Sequence, residues 1–256
     1  MTALDKVGNW LLRPPSADSQ ERLFCFPYSG AGASMYHRWP RYAGSVEICP
    51  LQLPGRENRM REPLFTTYEE LALGVTDGVR KYLDRPFGFF GHCGGALAAF
   101  ATAKHLEQVH DLSPRCVFIS SQVAPHEGPF GRFLTMTSDQ LRAELRNLAA
   151  ALGTQPDEAG IDLSLPILQA DIAANRRYRL EVPDPLRSHV YAIGWSDDEE
   201  VPSSLMGGWP DYAAANNFYQ VILDGRHYSF LRGPVELMDI FRRGFARAER
   251  ARKQVS

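Results

Sequence analysis

A glycine-rich turn between a predicted strand and a predicted helix carries a cysteine suited to covalent chemistry. Residues 87–100 read FGFFGHCGGALAAF, so Cys93 lies between Gly91 and Gly95 in the G-x-nucleophile-x-G pattern, with Cys where Ser is usual. Such a strained turn requires residues almost without side chains two positions before and after the nucleophile. The helix N-terminus that follows favours a thiolate. The pattern predicts a nucleophile, although taken alone it also fits an inert, buried cysteine.

A histidine and an aspartate that could complete this chemistry follow later in the chain. Residues 219–230 read YQVILDGRHYSF, a predicted strand and then a loop that carries His227. Asp197 and Asp198 come directly after another predicted strand, 189–195. The carboxyl ends of parallel strands converge at one edge of a sheet, and nucleophile, acid and base follow one another in this order in hydrolases with such a turn. We therefore predict His227 as the base and one of the two aspartates as the acid.

Acyl chemistry also needs backbone N–H groups that face the developing oxyanion. One donor is predicted at Gly94, directly after the nucleophile. The second is predicted in the loop after the first strand, 27–32, which reads PYSGAG and includes Ser29. Taken alone, this loop fits a plain glycine-rich turn equally well.

Short apolar runs that alternate with helical segments predict the framework for these residues. The runs are continuous rather than alternating, as is typical of strands that are buried on both faces of a parallel sheet. Predicted strands cover 22–28, 46–53, 87–91, 116–121, 189–195 and 219–224, and predicted helices cover 68–83, 95–109 and 234–250. This order predicts an α/β fold with helices on both sides of the sheet.

The alternation stops between about 124 and 187, which we interpret as a helical insertion. The sequence TSDQ at 137–140 has the form of a capping box, and leucines at 141, 145, 148 and 152 form an apolar stripe. A first helix is therefore predicted over 138–152. A second is predicted from Ile167 to about residue 180, after a loop.

Composition limits the classes of function. The chain has 256 residues with 44% hydrophobic and 23% charged residues, which is ordinary for a globular protein. A net charge of −2 argues against nucleic acid as a partner. No apolar run is long enough to span a membrane, and residues 1–15 do not form a secretory signal. The four cysteines form no CxxC pair, so we expect a reduced, cytoplasmic protein.

Five motifs in order give the chain a close resemblance to the type II thioesterases of polyketide and nonribosomal peptide assembly lines. The resemblance covers about residues 22–230. The motifs are LFCFPYSGAGA at 23–33, LQLPGRE at 51–57, RPFGFFGHCGGA at 85–96, LPILQADI at 165–172 and GRHYS at 225–229.

The resemblance implies a single α/β-hydrolase domain over 1–256, in which the insertion at about 124–187 is a helical lid. It implies action on acyl or peptidyl chains held as thioesters on the phosphopantetheine of carrier proteins. The implied triad is Cys93, Asp198 and His227, since Asp198 matches the family's D-x-x-V pattern; Asp197 stays an alternative. The acyl group would leave to water or another small acceptor, with no metal and no resident cofactor.

Four positions depart from the family pattern: Cys93 replaces Ser, Gly94 replaces Met, Tyr28 replaces His and Ser29 replaces Ala. They bring plain hydrolysis into question, and we expect transfer or cyclisation of the acyl group. The sequence does not distinguish a natural Cys93 from an introduced one. Two alternatives are a carboxylesterase that acts on small free esters and a non-catalytic binding subunit of the same fold.

Overall fold

A seven-stranded sheet with strand order β2-β3-β1-β4-β5-β6-β7 organises the protein. The computed structural model describes residues 10–255. The strands are β1 (Glu21–Cys25), β2 (Tyr42–Ala43), β3 (Val46–Pro50), β4 (Phe87–His92), β5 (Cys116–Ser120), β6 (His189–Trp195) and β7 (Phe218–Leu223). All neighbours pair in parallel except β2 and β3. The predicted mostly parallel sheet is confirmed, and only the two-residue edge strand β2 was not predicted, because it is too short for a periodic signal.

Helices cover both faces of the sheet, as predicted. The described residues contain five α-helices, of which α1, α2 and α5 pack on the sheet: α1 (Tyr68–Val79), α2 (Gly94–His110), α3 (Ser138–Leu152), α4 (Glu158–Arg177) and α5 (Val235–Val255). Phe24 and Phe89 pack in the core layer that contains α1 and α2. Leu23 and Phe90 pack in the opposite layer with α5. Neighbouring strand residues are thus buried on opposite faces, which explains the continuous apolar runs.

The chain between β5 and β6 adds no strand to the sheet and carries α3 and α4. The predicted capping box is present, because Thr137 Oγ1 accepts the Gln140 N–H and Gln140 Oε1 accepts the Thr137 N–H. The leucines at 141, 145 and 148 are buried, as the stripe predicts.

The predicted start of the second insertion helix at Ile167 is wrong, because α4 begins at Glu158. The Asp157 side chain accepts the Gly160 N–H at 2.8 Å and caps the helix. Pro166 lies inside the helix, where it removes one backbone hydrogen bond. Ile161 and Leu165 are buried on the same helix, and this packing outweighs the local preference of proline.

Residues 1–9 and 256 lie outside the described range, so most of the segment tested for a secretory signal and both ends of the predicted domain are not described. Between residues 10 and 255, no helix is long and apolar enough to cross a membrane.

Candidate active site

The elbow between β4 and α2 holds Cys93 in a backbone conformation that non-glycine residues seldom adopt, with φ 53° and ψ −123°. A Cβ on Gly91 would overlap the Gly95 carbonyl, and a Cβ on Gly95 would lie 2.7 Å from the Pro27 carbonyl oxygen. Both positions therefore require glycine, for the steric reason that the sequence pattern implies.

Cys93 differs from the other three cysteines in its surroundings. The residue is buried but keeps 8% of its surface exposed, and it lies directly before the first turn of α2. Burial raises the pKa of the Cys25 and Cys116 thiols well above the usual value, and it raises the pKa of Cys49 to about 12. These three thiols stay protonated and lie in strands, which leaves Cys93 as the candidate nucleophile.

His227 and Asp198 form a buried hydrogen-bonded pair. His227 opens a short 3-10 helix after β7, and Asp198 lies in the loop after β6. The His227 Nδ1 atom lies 2.9 Å from Asp198 Oδ2 and 3.1 Å from Oδ1. Asp197 is exposed and makes no such contact. Of the two aspartates that the sequence left open, Asp198 is the one that meets the histidine.

The Asp198 carboxylate is held by four donors. Besides His227, it accepts the Ser121 hydroxyl at 2.7 Å and the N–H groups of Glu200 and Val201 at 2.9 and 3.0 Å. Burial alone would raise the pKa of Asp198. The hydrogen bonds outweigh burial and lower its pKa well below the usual value, so the group is a carboxylate.

His227 is held in its protonated form. Burial alone would lower its pKa, but the hydrogen bond with Asp198 and the nearby Cys93 sulfur outweigh burial and raise the pKa to about 10. Its Nε2 atom makes no hydrogen bond of regular geometry to any side chain within residues 10–255. Glu200 Oε2 lies 3.4 Å from this nitrogen. The imidazole therefore has one edge bound to Asp198 and an opposite edge near Glu200 and the Cys93 sulfur.

His92 packs against this pair without joining it. Its Nδ1 atom lies 2.8 Å from the Ser120 hydroxyl, and its ring stacks on Phe230 at 3.9 Å. Burial lowers the pKa of His92, so the ring is neutral and supports the His227 side of the site.

The loop that carries Ser29 is fastened to α4 by a buried ion pair. Asp171 on α4 accepts the Gly30 N–H at 2.8 Å and pairs with Arg56 at 2.9 Å. Arg56 also donates to the Ala31 carbonyl. This pair was not predicted. Arg56 lies in the quoted motif LQLPGRE and Asp171 in the quoted motif LPILQADI, but neither motif indicates that the two side chains pair.

The Ser29 hydroxyl lies against Gly94. A Cβ on Gly94 would overlap Ser29 Oγ and would lie 3.3 Å from the Tyr68 hydroxyl. The two residues predicted to supply oxyanion N–H groups are therefore adjacent in space.

Tyr28 is buried beside the same centre. Its ring lies edge-on to His227 at 5.8 Å and to Tyr228 at 5.7 Å between ring centroids. Where the family has a histidine, this chain thus has an aromatic wall that contacts the imidazole.

A cleft of about 870 Å³ opens onto His227. Its walls include the charged residues Arg132 and Glu200 and the aromatic residue Tyr228. A separate cavity of about 230 Å³ lies between the Ser29 loop and the insertion, and its lining includes Leu145 and Leu148. Among the described residues, no cluster of three or more His, Cys, Asp or Glu side chains could hold a metal ion.

Comparisons with known proteins show the family and the fold of the chain. The Thioesterase domain family matches residues 21–243. A Brevibacillus parabrevis protein named linear gramicidin dehydrogenase LgrE is 32% identical in an alignment of 231 positions that covers 86% of each chain. RedJ, a thioesterase from the prodiginine pathway of Streptomyces coelicolor, is 31% identical, with a TM-score of 0.76 over 91% of both chains.

A third similar protein is BorB, a type II thioesterase from the borrelidin biosynthetic cluster. It is 26% identical and has a TM-score of 0.79, with coverage of 92% of this chain and 97% of BorB. The predicted fold class is confirmed by these structures. The chain belongs to the thioesterase domain family and has the α/β-hydrolase fold of the type II thioesterases from polyketide and nonribosomal peptide clusters.

Proposed function

We propose that this protein is a cysteine-dependent thioesterase or acyltransferase that acts on carrier-bound acyl or peptidyl chains in natural-product biosynthesis. Cys93 is the nucleophile, His227 the proton carrier and Asp198 the group that orients it. Backbone N–H groups of Ser29 and Gly94 stabilise the oxyanion. The observation that carries the proposal is the strained conformation of Cys93 at the elbow, next to the hydrogen-bonded His227–Asp198 pair.

The first half-reaction forms an acyl-enzyme. The Cys93 thiolate attacks the thioester carbonyl carbon, a C–S bond forms, and the carbonyl oxygen becomes an oxyanion. When the oxyanion collapses, the bond to the phosphopantetheine sulfur breaks. His227 gives its Nε2 proton to this leaving thiolate, and Asp198, which binds the Nδ1 edge, orients the ring for this transfer.

The second half-reaction releases the acyl group. Neutral His227 takes a proton from water or from another small acceptor, which attacks the acyl carbonyl. The C–S bond to Cys93 breaks, and the thiolate accompanied by protonated His227 is restored. Such a site needs no metal and no resident cofactor for either half-reaction.

Sulfur at position 93 favours acceptors other than water. Transfer from phosphopantetheine to Cys93 exchanges one thioester for another, so the acyl group stays activated, whereas an oxoester on serine would be less reactive. Amines and thiols attack thioesters more readily than they attack oxoesters. We therefore propose that transfer or cyclisation accounts for a substantial part of the turnover.

Partners and location follow from the same reasoning. RedJ comes from the prodiginine biosynthetic pathway and BorB from the borrelidin biosynthetic cluster, and we propose that carrier domains deliver the substrate to this chain. We propose no dehydrogenase activity, although the LgrE relative has that name, because a nucleophile, an imidazole and a carboxylate are the groups of acyl transfer. All four cysteines are free, which suits a reducing, cytoplasmic compartment.

The test is intact-protein mass spectrometry after incubation with an acylated carrier. We expect a mass increase equal to the acyl group on native protein and none on folded Cys93→Ala. A comparison of native protein with Cys93→Ser, each assayed with and without amines, distinguishes transfer from hydrolysis. If both proteins release only free acid, and the serine variant releases it faster, the reaction is plain hydrolysis. A chromogenic ester assayed in parallel tests the carboxylesterase alternative. Full turnover by Cys93→Ala would exclude the proposed nucleophile.

A further inference from the structure

The Nε2 edge of the His227 imidazole, opposite the edge that binds Asp198, is approached by a second carboxylate. Glu200 Oε2 lies 3.4 Å from His227 Nε2, and the same oxygen lies 2.8 Å from Arg132 Nε. Glu200 is therefore shared between the imidazole and a guanidinium. This contact is distinct from the Asp198 contact, which uses the opposite nitrogen.

Arg132 connects this carboxylate to the insertion. It lies in a short 3-10 helix before α3 and also pairs with Glu144 on α3. Its Nη2 atom donates to the Tyr228 hydroxyl at 3.3 Å. A chain of charged groups thus leads from α3 through Arg132 and Glu200 to the imidazole.

We propose that Glu200 is a positioning residue that binds the Nε2–H of protonated His227, and that Arg132 limits this contact by pairing with the same carboxylate oxygen. The inference rests on the proposed role of His227 as base. A carboxylate at this distance stabilises the imidazolium over the neutral ring. Release of the acyl group requires the neutral ring, so Glu200 and Arg132 together set the pH at which release becomes fast.

Other groups that face the imidazole act on the same equilibrium. They are Asp198 from the loop after β6, Cys93 and His92 from the elbow, Tyr28 from the loop after β1, and Tyr228 beside it. Glu200 and Arg132 differ from these groups because they carry opposite charges and meet at the same side of the imidazole. Substitution of Glu200 and substitution of Arg132 must therefore shift the protonation equilibrium of His227 in opposite directions. A non-specific disruption of the site would not produce shifts of opposite sign.

The direct test is an NMR titration of the His227 ring in the Cys93→Ala background, with the signal assigned by its loss in His227→Gln. We expect Glu200→Gln to lower the pKa of His227 by about half to one unit and Arg132→Gln to raise it. Glu199→Gln, a change at an exposed neighbour in the same cleft, is the matched control and should leave the pKa unchanged. Equal shifts from Glu199→Gln and Glu200→Gln, or shifts of the same sign from Glu200→Gln and Arg132→Gln, overturn the inference.

The kinetic test uses the acyl-enzyme. Single-turnover release of the acyl group should reach half its maximal rate at lower pH in Glu200→Gln and at higher pH in Arg132→Gln, relative to the native protein. An absent acyl adduct on Cys93 contradicts the proposed function, but it leaves the NMR shifts as an independent test of the Glu200 contact. An unchanged release profile in Glu200→Gln, with the adduct present, contradicts the inference alone.

Discussion

The Ser29 hydroxyl occupies the space into which a side chain at position 94 would project, so these two residues form one packing unit. Both depart from the family pattern, which has Ala and Met at the corresponding positions. The smaller residue at 94 thus accompanies a larger one at 29. Ser29 and Gly94 also carry the N–H groups that we propose stabilise the oxyanion. The packing of these two residues therefore affects the proposed oxyanion site.

This relationship predicts coupling between substitutions at the two positions. Gly94→Met should destabilise the protein by about 1–3 kcal/mol, because the new side chain is forced into Ser29. Ser29→Ala alone should change stability little, and in the double variant it should recover at least about 1 kcal/mol. Urea unfolding of the four proteins measures the coupling. Strictly additive effects would show that the two residues do not share this space.

A thiol alkylator should modify Cys93 at least about tenfold faster than the other cysteines. Burial keeps Cys25, Cys49 and Cys116 protonated, and only a thiolate reacts quickly. Peptide mass spectrometry after brief exposure to iodoacetamide at pH 7 measures the order of modification. The Cys93→Ala variant is the control and should show no early label. Faster labelling of any strand cysteine in the native protein is the contrary result.

The Asp198–His227 pair should stabilise the fold in a limited pH window. The pKa of Asp198 lies below its usual value, so its contribution is present above about pH 4 and is lost as the pH falls. The pKa of His227 is raised to about 10, so its contribution is complete below about pH 6.5 and is lost as the pH rises toward 10. The stabilisation is therefore largest between about pH 4 and 6.5.

Asp198→Asn tests this window. The variant should lose about 1–3 kcal/mol of unfolding free energy within it, and the difference from native protein should narrow at both extremes. Asp197→Asn, at the exposed neighbour, should match the native protein throughout. A loss that is independent of pH would indicate that the pair contributes packing rather than charge.

Asp171→Asn should destabilise the protein by about 3 kcal/mol, because it leaves the Arg56 guanidinium buried without its counter-charge. Asp162→Asn is a matched control on the same helix. Its partner Arg142 is 29% exposed and Asp162 itself is 61% exposed, so its loss should cost less than about 1 kcal/mol. Urea unfolding compares the two, and equal effects would contradict a structural role for the buried pair.

Hydrogen exchange should divide the insertion into two parts. Asp171 ties α4 to the Ser29 loop, whereas α3 packs mainly against α4. We expect amides of α3 to exchange fastest, those of α4 more slowly, and those of β4 and β5 slowest. Protection in α3 equal to that in β4 would exclude a lid that opens through α3.

The sequence by itself determined the features whose causes are local. Glycines at 91 and 95 predict the elbow because only their absent side chains permit the turn. Continuous apolar runs predict the parallel strands, and the capping box predicts the start of α3. The predicted start of α4 at Ile167 is wrong, because the packing of Ile161 and Leu165 outweighs the strong local signal of Pro166.

Only the tertiary structure decided which polar groups meet. Asp197 and Asp198 follow the same strand, and the turn after β6 directs Asp198 alone to His227, 29 positions away. Arg56 and Asp171 are separated by 115 positions along the chain. Glu200, His227 and Arg132 lie in three different segments of the chain, which the fold brings into contact. Such contacts depend on the direction of side chains at chain reversals, and no local periodicity encodes that direction.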